Sequence, residues 1–289
     1  IIIAGQNGPG ATNLVTGIAQ AKAAFSPVIS IAGAITSEHK GKDSFQEVDQ
    51  QSLFKPITKK TFSVEKTNLI PEILDKAFKL ALTHQQGPVH INLPRDVLAK
   101  THNFSELSHS KLEQFSKIRE KDISEIFSLI IQSKKPVIIA GGGVKNSEIY
   151  LDLMKLAKKL NIPVVSSPGH GDAIPFDETL YGGQMGPRGN IVASDLVKNA
   201  DVILALGTRL GFNSTFYSYD NINKNAKIIQ VDANQKSIGR YFPVTIGICN
   251  DVKSLVYELN LITKNKKQIP DCKIWVDNFL KNKETYLKK

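Results

Sequence analysis

Cysteine, methionine and tryptophan are scarce in this chain: two, two and one in 289 residues. Cys249 and Cys272 have neither metal-ligand spacing nor the numbers for a disulfide framework. They fit a reducing compartment, and a cytoplasmic location is the expectation. No apolar run approaches the roughly 20 residues that cross a bilayer, so no membrane partner is expected. The chain lacks an initiator Met, a basic leader and a small-residue cleavage site. Residues 1–4 read as a β-branched strand buried on both faces, so the expectation is a piece whose start lies upstream. Acidic residues are the minority, 27 against 37 Lys plus Arg, for a net charge of +10. That excess invites a nucleic-acid reading. Yet the lysines are scattered through helices, and no stretch interleaves aromatic with basic side chains, so a solvated surface is the better account and nucleic acid is not expected as a partner. His39, His84, His90, His109 and His170 are not at metal spacing, and no Ser-His-Asp or Cys-His arrangement stands out.

What is present is ordinary for a soluble α/β protein: 41% hydrophobic and 22% charged residues, enough chain for two cores. In the first block "PVISIAG" and "GPVHINLP" read as buried strands and "TKKTFSV" as a short extended segment. They are separated by helices over "ATNLVTGIAQAKAAF", "SFQEVDQQSLFKPI" and "NLIPEILDKAFKLALTH", the last with Pro71 in its first turn. After a polar stretch the alternation restarts with strands "PVIIA", "PVVSS", "DVILALG", "AKIIQVD" and "PVTIGI". A Gly-rich loop from Pro168 to Gly189 and a helix over "NQKSIGR" are expected in between. Strands alternating with helices imply parallel sheets. The fold class is α/β with two doubly wound, mostly parallel sheets. The divisions are 1–101, a linker over 102–121, a Rossmann-like domain over 122–262, and 263–289 as the lead to a further domain.

Two places carry chemistry. Gly8, Pro9 and Gly10 lay rigid backbone at a strand end just before a helix, with Asn13 as local cap or ligand-facing group. In the second block Gly141, Gly142 and Gly143, then Gly207, Thr208 and Arg209, then Asp232, then Asn250 and Asp251 follow successive strands. Ligand crevices of open parallel sheets lie at those carboxyl ends. Two readings stand there: a nucleotide pocket, or structural turns around an empty one.

Taken in order, "GPGATNLVTGIAQA", "PVISIAGAI", "GKDSFQEVDQQSLFKPITK" and "GPVHINLPRDV" resemble the first domain of the acetolactate synthase family of thiamine-diphosphate-dependent enzymes. "KPVIIAGGGV", "IPVVSS", "ADVILALGTRLG", "AKIIQVD" and "PVTIGICNDVK" resemble its central domain. The resemblance implies that 1–101 is a partial pyrimidine-binding domain. It implies that a third domain, with the motif for Mg²⁺ and diphosphate, lies outside the chain, and that the cofactor-activating Glu lies upstream. No catalytic residue and no metal ligand is therefore assigned here. It also implies carbanion chemistry on a 2-oxo acid or aldehyde, with an acyl unit passed to an acceptor. Gly8, Pro9, Gly10 and Asn13 would wall the channel, Phe45 and Gln46 would line its substrate side, and Arg95 would guide an anionic substrate. Gly142, Gly143, Gly207, Arg209, Asp232 and Asp251 would hold FAD or ADP. Gly211, Asn213 and Gln85 stand where flavin-binding members carry charged groups, which leaves ADP or an empty pocket open. The family's site forms between subunits, so a homodimer or tetramer is implied. "GQNGPG" is closer to sulfoacetaldehyde acetyltransferases, while "FKPITK" reads like acetolactate synthase. A stand-alone nucleotide-binding module is the alternative from another class.

Overall fold

The computed structural model of the chain describes residues 1–104, 115–266 and 268–288. Residues 105–114, the middle of the expected linker, lie outside the described residues. The chain divides into two compact units, Ile1–Gln114 and Phe115–Lys289.

The first unit is a four-stranded sheet of β1 (Ile2–Gly5), β2 (Ile29–Ala34), β3 (Lys60–Ser63) and β4 (Val89–Pro94) in the order β1-β2-β4-β3. Every ladder is parallel. Its helices are α1 (Pro9–Asn13), α2 (Val15–Ala24), α3 (Gln50–Phe54), α4 (Ile70–Leu82) and α5 (Arg95–Ala99). The crossover through α2 runs one way along the sheet and that through α4 runs back, so right-handed connections put the two helices on opposite faces. The cores agree. Ile29, Val89 and Ile91 pack with Ala77 and Ala81 of α4, whereas Val28 and Ala32 pack with Ile18 and Ala21 of α2 and with Phe54.

Two expectations fail here. Residues 1–4 are not buried on both faces: β1 is an edge strand, and Ile1 and Ile2 are exposed. The helix expected over 44–57 shrinks to α3 and a 3-10 turn at Lys55–Ile57. Asp49 starts it by accepting a hydrogen bond from the Ser52 amide at 3.1 Å. Ahead of that cap, Asp43 and Gln46 have φ of +53° and +61°, which no α-helix can hold.

The second unit is a six-stranded, wholly parallel sheet. Its strands are β5 (Pro136–Ala140), β6 (Val164–Ser166), β7 (Tyr181–Gln184), β8 (Val202–Leu206), β9 (Lys227–Asp232) and β10 (Ile246–Cys249), in the order β10-β9-β8-β5-β6-β7. The helices are α6 (Glu120–Gln132), α7 (Gly142–Asn146), α8 (Tyr150–Leu160), α9 (Ile191–Asn199), α10 (Phe212–Thr215), α11 (Val252–Asn265) and α12 (Lys273–Leu287). β5, β6 and β8 are buried at every position, the mark of a sheet covered on both faces. The chain builds outwards from β5 to β7, returns through α9, and builds outwards again from β8 to β10. The strand order therefore reverses between β5 and β8.

The Gly-rich loop from Pro168 to Gly189 contains an edge strand, β7, whose Tyr-Gly-Gly-Gln text has no strand alternation. "NQKSIGR" forms only a 3-10 turn at Gln235–Ser237, because the Asn234 side chain caps Lys236 and Gly239 takes φ +65°. Residues 263–289 hold the end of α11 and all of α12. Cys272, Val276 and Phe279 are buried in the second core, and the Trp275 indole donates to the Pro136 carbonyl at 3.1 Å.

Candidate functional site

β1 delivers the chain to its carboxyl edge, where Gly8 turns it into α1. Gly8 sits at the N-cap with φ +60°, and Pro9 takes the first helical position, where its missing N–H costs nothing. A Cβ on Gly8 would stand 2.6 Å from the Cβ of Gln46 and 2.8 Å from its carbonyl oxygen. Glycine is thus required twice, by backbone conformation and by space. The Gly-Pro-Gly turn and the Phe45–Gln46 turn lie directly against one another, although 38 positions separate Gly8 from Gln46.

The second of these turns is built by Glu47. Its carboxylate accepts hydrogen bonds from the amides of Gly41 (2.7 Å) and Ser44 (3.2 Å). Ser44 donates its hydroxyl to the His39 carbonyl at 2.9 Å. Ser44-x-x-Glu47 has the spacing of a capping box, and half of that box forms, but it closes a turn, and α3 begins three residues later under its own Asp49 cap. Phe45 is left 87% exposed at the tip. Glu47 was not among the residues expected to matter; its spacing from Ser44 was the available signal.

Asn13 is not a cap. It is the last residue of α1, exposed, and its side chain makes no hydrogen bond among the described residues. Arg95 is the exposed first residue of α5, on the same carboxyl edge two strands from β1. α5 is tied down by Asp96, which accepts from the Ser37 amide at 3.0 Å and hydroxyl at 3.1 Å, and these bonds hold its carboxyl below the usual carboxylate range. The structure therefore brings Gly8, Pro9, Gly10, Phe45 and Gln46 into two touching turns and leaves Arg95 further along the edge.

The donor set of this edge is backbone, amide and guanidinium. It suits the ring end of thiamine diphosphate and a carbonyl or carboxylate substrate. It does not suit a diphosphate held through Mg²⁺: among the described residues no group of three or more His, Cys, Asp or Glu could hold a metal ion.

In the second unit the carboxyl ends of β5 and β8 meet at the reversal point. The Gly143 amide donates to the Gly207 carbonyl at 3.1 Å, and a Cβ on Gly141 would run into that same carbonyl. Gly207 itself has φ +60°. The glycines expected to let a ligand approach are packed on each other, and the Gly143 N–H is already spent. The His170 ring covers Gly142, whose Cβ position lies 2.8 Å from its Cε1. Burial, helped by the charge of nearby Lys145, holds His170 below the ordinary imidazole range. Lys145 pairs with Asp172 at 2.5 Å.

Asp232, at the end of β9, is buried and accepts from the Asn234 amide at 2.9 Å. Burial pushes its carboxyl up, against the opposing charge of Arg209. Asp251 caps α11, accepting from the Lys253 amide at 2.9 Å and from the Ser147 hydroxyl at 2.8 Å. Gly142, Gly143 and Gly207 thus converge, Arg209 and Asp232 are electrostatic neighbours, and Asp251 is engaged in holding the end of α7 to the start of α11.

Comparison with known proteins matches both units. Residues 2–53 match the thiamine pyrophosphate enzyme N-terminal TPP binding domain, and residues 123–259 match the thiamine pyrophosphate enzyme central domain. A probable acetolactate synthase large subunit of Methanococcus aeolicus is 34% identical across 95% of this chain and 48% of its own length. The acetolactate synthase large subunit of Buchnera aphidicola from Schizaphis graminum is 35% identical across 93% and 48%. A sulfoacetaldehyde acetyltransferase of Castellaniella defragrans is 34% identical across 90% and 43%. The chain spans about half the length of the curated relatives it matches.

Proposed function

Because this chain belongs to the thiamine pyrophosphate enzymes, of which it carries the N-terminal and central domains, we propose that the whole protein is a carboligase of acetolactate synthase type acting on a 2-oxo acid. Thiamine diphosphate, when bound, supplies the electron sink for the carbanion formed at the acyl carbon. This chain's part is position and exclusion. The wall of Gly8, Pro9 and Gly10 fixes where the reacting end can lie, and side chains there would fill the channel. Gln46, held in a left-handed turn against that wall, offers an amide to the substrate carbonyl or carboxylate. Phe45 covers the reacting carbon from water, and its exposure in the single chain fits a site completed by a second subunit, in a dimer or tetramer. Arg95 draws in the anionic substrate. Mg²⁺ and the diphosphate fall to residues beyond this chain. A cytoplasmic location goes with the same reading.

The observation that carries this is the packing of the Gly8 turn on Gln46. A wall that needs glycine and a left-handed glutamine to touch is expensive to keep for structure alone. Gln6-Asn7-Gly8-Pro9-Gly10 supports a second reading, sulfoacetaldehyde acetyltransferase, which forms acetyl phosphate and sulfite. At the carboxyl edge of the second sheet, Arg209 and Asp232 would hold an adenine nucleotide, ADP or FAD, by phosphate and ribose. The test is turnover by the whole protein with thiamine diphosphate and Mg²⁺. Acetolactate from pyruvate supports the first reading. Sulfite release from sulfoacetaldehyde and phosphate, without acetolactate, supports the second. Neither product would reject both.

A further inference from the structure

Residues 35–49 join β2 to α3 and carry the Phe45–Gln46 turn. Among the described residues their backbone hydrogen bonds are local, as from Lys42 to the His39 carbonyl at 3.2 Å and from Glu47 to that of Ser44 at 2.9 Å. α3, where this loop ends, has only five residues, too few for a helix to hold its own position. Side chains at the two ends therefore place the loop. At its start Asp96 accepts from the Ser37 amide and hydroxyl. At its end stands Gln50, the first residue of α3, which is 1% exposed.

Gln50 Nε2 donates to the Gly33 carbonyl at 2.7 Å, and Gln50 Oε1 lies 3.2 Å from His90 Nε2. A carbonyl only accepts, so the nitrogen end of the amide belongs at Gly33. His90 is a fixed partner: it is fully buried, stacked on Phe54 and bonded to Ser30. Gly33 is the last residue but one of β2, and its Cβ position lies 3.6 Å from the amide nitrogen of Asn7, the residue before Gly8. One point on β2 thus meets both turns. It backs the Gly-Pro-Gly wall through Asn7, and through Gln50 it fixes the chain four places after Gln46. An apolar side chain would bury here equally well, since the net gain from a buried amide is small. What the amide adds is direction.

We propose that Gln50 is a positioning residue, which pins the start of α3 to Gly33 and so holds Gln46 against the Gly8 wall. This rests on the reading that gives Gln46 a role with the substrate; Gln50 is buried and acts through Gln46. The test uses the whole protein with thiamine diphosphate and Mg²⁺, as parent, Gln50→Met, Gln46→Ala and the double variant. Methionine keeps the volume and removes both hydrogen bonds. Hydrogen exchange read by mass spectrometry follows the turn without reference to activity. Peptides from 35–49 should exchange roughly tenfold faster in Gln50→Met, as for one lost buried hydrogen bond, while those of α4 and β5 keep the parent rate. Turnover should fall by a similar factor, mainly in kcat, and the double variant should be no slower than Gln46→Ala. Unchanged exchange over 35–49 in folded Gln50→Met overturns the proposal. So does a parent kcat in Gln50→Met where Gln46→Ala is impaired, and so does a double variant slower than Gln46→Ala by the full Gln50→Met factor. Faster exchange over 35–49 in Gln50→Met, with Gln46→Ala turning over like the parent, keeps the tether and overturns the substrate role of Gln46. Should Gln50→Met fail to fold, Gln50→Asn, too short to span from Gly33 to His90, is read by the same outcomes.

Discussion

The imidazole of His90 lies flat on the ring of Phe54, centroids 3.8 Å apart and planes 10° from parallel. Both are fully buried. Around the ring a chain of donors fixes one tautomer. The Gln50 amide nitrogen donates to the Gly33 carbonyl at 2.7 Å, which leaves its oxygen to accept from His90 Nε2 at 3.2 Å. His90 Nδ1 must then accept, and Ser30 Oγ donates to it at 3.1 Å. A proton on Nδ1 would face a hydroxyl already committed and no counter-charge, and burial pushes His90 down to about 4.

Stability should therefore fall in mild acid. The unfolded chain takes up a proton as pH drops below the ordinary imidazole value of about 6.5, and the folded chain does not until about pH 4. The unfolded state gains across that window, and the loss levels off below it. The full loss is about 3 kcal/mol, of which about 2 kcal/mol is present by pH 5. Urea unfolding at pH 7 and pH 5 measures it, and His90→Gln should flatten the difference between the two.

Gln46→Ala in the whole protein should remove most carboligation or acyl transfer and leave the melting temperature within a few degrees, since Gln46 is exposed and its side chain makes no hydrogen bond among the described residues. Steady-state kinetics equal to the parent's would reject the role assigned to it. Gly8→Ala should differ by costing stability as well, about 1–3 kcal/mol, because φ +60° and the 2.6 Å approach to Gln46 are both violated.

Arg95→Ala should raise KM for an anionic substrate and leave kcat nearly unchanged, as expected of a charge that acts on capture. The increase should shrink at high salt, where an exposed charge is screened. An equal fall in kcat at saturating substrate would place Arg95 in the chemical step.

In the second unit, Gly207→Ala should destabilise by about 2 kcal/mol or more, since a Cβ there would stand 2.6 Å from the Gly143 nitrogen in a left-handed backbone. Asp251→Ala should cost about 1 kcal/mol through the lost cap on α11, and Asp251→Ser should recover most of it. Thermal unfolding of the chain reads both. Full recovery of nucleotide response in Asp251→Ser would leave Asp251 a capping residue only.

The amino-acid sequence by itself determined the α/β class, the restart of the strand–helix alternation and the identity of the central strands. β5 and β8 are continuous apolar runs because they are covered on both faces, and that burial is written locally as Val, Ile and Leu. It also marked Gly8 and Gly207, because few residues besides glycine hold those turns. Only tertiary structure decided the rest. β7 is a strand because β6 offers it a ladder, not because Tyr-Gly-Gly-Gln prefers one. Residues 44–49 are a turn because Glu47 is drawn to the amides of Gly41 and Ser44, which outweighs a weak helix propensity. The neutral His90 depends on Ser30, Gln50 and Phe54 arriving from other elements. Local text records what a residue must tolerate from its own backbone. It does not record which distant partner will take its hydrogen bond or stack on its ring, because those free energies exist only once the chain has closed on itself.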